Sequence, residues 1–129
     1  MLIKGVLNPA MNSLLSRIRH TNTLVIADRG FPYYPQLETV DISLVDDIPS
    51  VLQVWLAIQS NFSVGAVFMA EEFCSANSTE IVRRLEHSLG TIRPTFEPHT
   101  QFKQRVPKAI GLIRTGDTIQ YANMILESA

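Results

Sequence analysis

Runs of unbroken apolar residues, set between segments of helical spacing, limit what this chain can fold into more than any other feature. VGAVFMA at 64–70 carries no charge, and LVIAD at 24–28 and AIGLI at 109–113 are nearly as apolar. A strand with one wet face alternates apolar and polar residues, so a continuous apolar run fits a strand covered on both faces. Between these runs lie helical signals. Asn8 followed by Pro9 reads as a cap and first helical position, with Met11, Leu14, Leu15 and Ile18 recurring on one face, which predicts a helix over 9–19. DIPSVLQVWLAIQSNF predicts a second helix entered through Pro49 and apolar nearly all round, with Trp55 in the core or at an interface. Asn77 or Ser78 is placed to cap a third, whose Ile81, Val82, Leu85 and Leu89 share a face.

The remaining segments complete the alternation. RGFPYYP, with Gly30, Pro32 and Pro35, forbids regular structure after the first strand, and TVDISL offers a short second strand. TIRPTFEP contains Pro94 and therefore predicts a strand near a sheet edge; HTQFKQRV predicts a brief helix, and TIQYANMILES is β-like to the end. Strand and helix in turn argue for one domain over residues 1–129, a three-layer α/β/α arrangement with a mainly parallel central sheet.

Charge and composition narrow the function. Eleven basic residues against twelve acidic ones, with no basic run, disfavour nucleic acid and anionic membrane as partners. The hydrophobic content of 46% is high for a chain this small, which predicts that other copies cover part of its surface. No apolar run reaches the roughly 20 residues of a membrane span and no signal peptide is evident, so a cytoplasmic location is expected. One cysteine, Cys74, and three histidines without metal-ligand spacing predict no metal site. Neither a GxGxxG nor a GxxxxGK[ST] phosphate loop occurs.

In open α/β sheets, ligands bind beyond the carboxyl ends of strands. That rule singles out Asp28 after LVIA, Glu71 and Glu72 after VFMA, and residues 114–117 after GLI. Glu71, Glu72 and Arg114 are read as ion-pair partners holding the strand ends. Tyr121 and Asn123, two apart in a β-like stretch, would share one side of a strand.

HTNTLVIADRGFP, AEE after an apolar strand, HTQFK and IRTGDTIQYANMIL, in that order from KGVLN onward, resemble the D-ribose pyranase and L-fucose mutarotase family. The likeness is nearer the pyranase branch, although Phe31-Pro32 is more usual in the fucose branch. The resemblance implies cofactor-free interconversion of ring forms or anomers of a monosaccharide, in a ring-shaped homo-oligomer such as a decamer or octamer with active sites between neighbours. It implies His20 as the proton donor, with Asp28, His99, Lys103, Tyr121, Ala122 and Asn123 as substrate-binding residues. D-ribose is the substrate expected first; L-fucose, or a non-catalytic sugar-binding or regulatory oligomer, is the alternative.

That chemistry suits these residue types. Opening a cyclic hemiacetal removes the proton from the anomeric hydroxyl and delivers one to the ring oxygen, so one acid and one base suffice. An imidazole, with a reference pKa near 6.5, gives and takes a proton at neutral pH more evenly than an ordinary carboxylate or lysine. Hydroxyl, amide and carboxylate groups match a ligand whose hydroxyls both donate and accept. One conflict arises from length alone: an extended strand over 23–28 separates its ends by roughly 17 to 20 Å, too far for His20 and Asp28 of one chain to grip one small sugar. Either the segment bends, or the two residues belong to different sites, and a site shared between copies would remove the conflict.

Overall fold

The computed structural model describes residues 1–129. Helix α1 (Pro9–Ser16) starts where expected, because the Asn8 side chain accepts the Met11 N–H at 3.0 Å, but it ends three residues early at Ser16, with Arg17 as its C-cap. Strand β1 (Thr23–Ala27) and the short β2 (Thr39–Asp41) follow. Helix α2 (Val51–Ile58) is opened by a capping box between Ser50 and Gln53. After β3 (Val64–Ala70) comes a five-residue helix, α3 (Glu72–Ala76), which the sequence reading did not anticipate. Ser78, rather than Asn77, caps α4 (Thr79–Ser88). The order closes with β4 (Thr95–Glu97), α5 (His99–Arg105) running into a 3-10 turn at Val106–Lys108, β5 (Gly111–Arg114) and β6 (Met124–Ser128).

The six strands form one sheet in the order β2-β5-β1-β6-β3-β4. Pairings β2–β5, β1–β5 and β3–β4 are parallel, while β6 runs antiparallel to both β1 and β3. The sheet is thus mainly parallel, with its C-terminal strand inserted against the grain in the middle. The Pro94 segment yields β4 at one edge, as a strand that cannot donate a full ladder should.

Alternate residues of each central strand face opposite layers. Leu24, Ile26, Ile113, Met124 and Leu126 join α1, α2 and α4 in the larger core, whereas Val25, Ala27, Leu112 and Ile125 meet Phe102 and Val106 of α5 and its turn. The second layer is narrow. It leaves β3 less covered than an all-apolar run predicts: Gly65 is exposed and Phe68 half-buried, its ring lying 3.8 Å from the Arg105 guanidinium. Glu97 holds that guanidinium through bonds of 2.5 and 3.1 Å.

The glycine of the IRTG stretch has a steric reason. A Cβ on Gly116 would lie 2.2 Å from the carbonyl oxygen of Val45, because the turn after β2 passes directly over it. The same contact is sealed by Gly116 N–H donating to the Pro49 carbonyl at 2.9 Å. No helix is long and apolar enough to cross a membrane.

Candidate functional site

Beyond the carboxyl ends of β1 and β4 lies an open hollow of about 290 Å³, lined by Asp28, Gly30, Phe31, Pro32, His99, Gln120, Tyr121 and Asn123. Three distant segments meet there. Asp28 is the first residue after β1, His99 the first of α5, and Tyr121 and Asn123 belong to the turn before β6.

Asp28 and Asn123 fix each other reciprocally. The Asn123 side-chain oxygen accepts the Asp28 N–H at 2.7 Å, and its amide donates to Asp28 Oδ2 at 3.1 Å. Asp28 Oδ1 takes the Gly30 N–H at 2.9 Å, which shapes the following loop as an Asx-turn. Both carboxylate oxygens keep lone pairs free for further donors. Asn123 is buried and shares its amide with Asp28, so part of its capacity goes to orienting the carboxylate.

Tyr121 and Asn123 do not lie on a strand: β6 begins at Met124, and Tyr121 has φ +58°, a left-handed conformation within a turn. The turn, not β alternation, brings both to the hollow. Its start is held by Asp117, whose two carboxylate oxygens accept the N–H of Val51 at 2.8 Å and of Ile119 at 2.8 Å. The His99 ring meets Tyr121 edge-on, with centroids 5.1 Å apart, and stacks on Phe102 at 6.0 Å. Phe31 packs edge-on against the other side of Phe102 at 6.3 Å, so one aromatic train runs from the loop wall to Tyr121.

The other candidate residues lie elsewhere. Lys103 is exposed, one turn along α5, outside the hollow. Ala122 turns its buried side chain to the opposite layer, where it lines a separate cavity of about 300 Å³ with Phe73 and Leu85. His20 occupies the tip of a turn at the other end of β1. Asn22 N–H donates to the Arg19 carbonyl and Asn22 Oδ1 accepts the Arg19 N–H, both at 2.9 Å, and Thr21 has φ +65°. The side chain is exposed and the strand stands between it and the hollow, by roughly 17 Å.

The expected ion pairs at the strand ends are absent. Glu72 instead accepts the His99 N–H, and Arg114 donates to the carbonyls of Asp28 and Arg29 at 3.3 Å and of Pro32 at 3.4 Å, clamping the loop from below. Phe31 and Phe102 are site-shaping residues that sequence reasoning gave no such role, and Asp117 shapes the site by holding the turn. Phe102 had a signal, three residues after His99 on the same helix; Asp117 was within the strand-end set 114–117 but carried no cue to its burial.

Burial pushes the Asp117 carboxyl above the ordinary carboxylate value, the Ile119 and Val51 N–H groups pull it partly back, and the charges of Asp47 and Asp28 raise it again. A raised value in the folded state means that the native protein holds this proton more firmly than the unfolded chain. That contribution is fully present below the ordinary carboxylate value and is lost as pH rises through the raised one. Hence the stability of the wild type relative to Asp117→Asn should fall as pH climbs above the ordinary carboxylate value, about 4, measured by denaturant unfolding at several pH values. A difference that is flat or grows with pH would contradict the desolvated carboxyl.

Known proteins match this chain over nearly their full lengths. A D-ribose pyranase of Geobacillus kaustophilus is 37% identical over 124 residues, covering 96% of this chain and 90% of the relative. The structure of Bacillus subtilis RbsD complexed with D-ribose superposes with a TM-score of 0.92 at 29% identity, covering all of this chain and 98% of the other. A fucose mutarotase of Streptococcus pneumoniae, in complex with L-fucose, has the same fold, with a TM-score of 0.76 at 19% identity over 95% of this chain and 92% of its own. Since residues 1–129 match its profile throughout, the chain belongs to the RbsD / FucU transport protein family.

Proposed function

We propose that this protein, a single domain over residues 1–129, is a monosaccharide mutarotase that interconverts ring forms or anomers of a free sugar, foremost the pyranose and furanose forms of D-ribose. The observation that carries this reading is the meeting of Asp28, His99, Tyr121 and Asn123, from three separate segments, in one hollow with acceptors and donors to spare. Ribose is favoured over fucose by the 37% identity to a D-ribose pyranase and by the likeness to a D-ribose complex, against 19% identity for the fucose mutarotase. Phe31, more usual in the fucose branch, lines the hollow with its ring held against Phe102 and Tyr34, so ribose and fucose are to be compared directly.

In this reading Asp28 accepts hydrogen bonds from sugar hydroxyls, while His99, Tyr121 and the free amide hydrogen of Asn123 orient the ring. The anomeric hydroxyl loses its proton, the bond between the anomeric carbon and the ring oxygen breaks, and the ring oxygen gains a proton. Reclosure through another hydroxyl, or on the other face of the carbonyl, reverses these transfers with no net consumption of protons. His20 acts as the donor in the hollow of a neighbouring copy, since the length of β1 keeps it from its own. A closed ring such as a decamer or octamer gives every copy both neighbours. The protein works in the cytoplasm, where the exposed thiol of Cys74 stays reduced.

Saturation-transfer NMR on D-ribose and L-fucose tests the assignment. Faster exchange between pyranose and furanose signals of ribose is the expected result. Sugar binding with no faster exchange would favour a non-catalytic regulatory oligomer, and no effect on either sugar would remove the reading.

A further inference from the structure

Helix α5 begins without a cap of its own. Pro98, at its N-cap position, has no side-chain acceptor, and its carbonyl serves the N–H groups of Gln101 and Phe102. The first N–H groups of a helix have no partner within it and must find one elsewhere. For His99 that partner is Glu72, 27 positions earlier, whose carboxylate oxygens accept the N–H at 3.0 and 3.2 Å. A bond to an ionised acceptor is roughly twice as strong as a neutral one.

Glu72 opens α3, and the far end of the same short helix reaches the opposite wall. Asn77 donates one amide hydrogen bond to the Phe73 carbonyl and another, 2.9 Å long, to the carbonyl of Gln120, the neighbour of Tyr121. Between these two arms Phe73 is buried in the larger core and anchors the helix. The five-residue helix and its C-cap Asn77 therefore bond the backbone of His99 at one end and of Gln120, beside Tyr121, at the other.

We propose that α3 is a strut for the sugar hollow and that Glu72 is a positioning residue for His99, fixing the backbone from which its ring meets Tyr121. The claim rests on the hollow being the sugar site described above. Glu72 bonds the His99 backbone and makes no hydrogen bond to a lining side chain, so its loss acts on how well the sugar is held rather than on proton transfer.

In the assembled protein, Glu72→Ala should speed hydrogen exchange at the His99 amide, read by NMR without sugar, and raise KM for ribose ring exchange, each by about tenfold or more, with kcat nearly unchanged. Glu72→Gln, which keeps an acceptor oxygen, should restore both values most of the way. Unchanged His99 exchange in Glu72→Ala, a fall in kcat at constant KM, or no rescue by glutamine would each overturn the strut. If His99 exchange accelerates but KM stays constant, the strut is also overturned as a determinant of sugar binding. His99→Ala then locates the fault: a raised KM keeps the hollow as the sugar site, and an unchanged one removes that reading as well.

Discussion

His20→Ala should reduce catalysed ring exchange by about 100- to 10,000-fold, or about 3 to 5.5 kcal/mol of barrier, the usual range for removing a general acid or base. The side chain is exposed at the tip of a turn whose backbone bonds do not involve it, so the variant should fold and assemble as the wild type does. A loss of rate is therefore a loss of chemistry. The location of His20 opposite the hollow makes a second outcome decisive. Neither His20→Ala nor Tyr121→Phe chains alone should be active, yet when they are mixed at random in one ring, about a quarter of the interfacial sites regain both groups. Activity should return in the mixture. Full exchange by His20→Ala rings would remove the donor assignment, and hybrids without recovery would argue that each chain builds its own site.

Trp55→Ala should cost about 3 to 5 kcal/mol, the range for deleting a large buried aromatic ring. Trp55 is 1% exposed on α2, and its Nε1 donates to the Ser88 carbonyl at 2.9 Å, joining α2 to the end of α4. Truncation leaves a cavity in the larger core and a carbonyl without its donor. Against a total stability of about 5 to 15 kcal/mol for a domain, that is enough to lower the midpoint of urea unfolding severely. Trp55→Phe keeps most of the packing and loses mainly the hydrogen bond, so it should fall well short of the alanine variant. A loss under about 1 kcal/mol for alanine would contradict the packing described. Because the ring lies in the core, away from the hollow, neither variant should change KM for sugar in the folded protein.

Much of the fold was legible because local rules set it. Asn8 with Pro9, and Ser78 ahead of Ile81, fix helix starts by satisfying N–H groups within three residues. The apolar runs became central strands, and Pro94 lay beside an edge strand. Where reading failed, a distant partner had decided the outcome. Residues 119–123 have β-like composition, yet the buried Asp117 ties the segment to the start of α2 and forces a turn through a left-handed Tyr121. Glu72, read as an ion-pair partner, serves a backbone N–H because Pro98 cannot. Ala122 was grouped with its neighbours by motif, whereas its side chain belongs to the other layer.

The amino-acid order by itself determined the layered α/β class, since periodicity decides which face of each segment must leave water. Strand-end position singled out Asp28, and the family resemblance, not any local pattern, added His99, Tyr121 and Asn123. Only the tertiary structure decided that these four share a hollow while His20, Lys103 and Ala122 stand outside it. Convergence depends on strand order, on an antiparallel β6 in the middle of the sheet and on turns held by contacts as distant as 95 positions, between Asp28 and Asn123. Such contacts are set by which surfaces pack together, and no local pattern of residues encodes them.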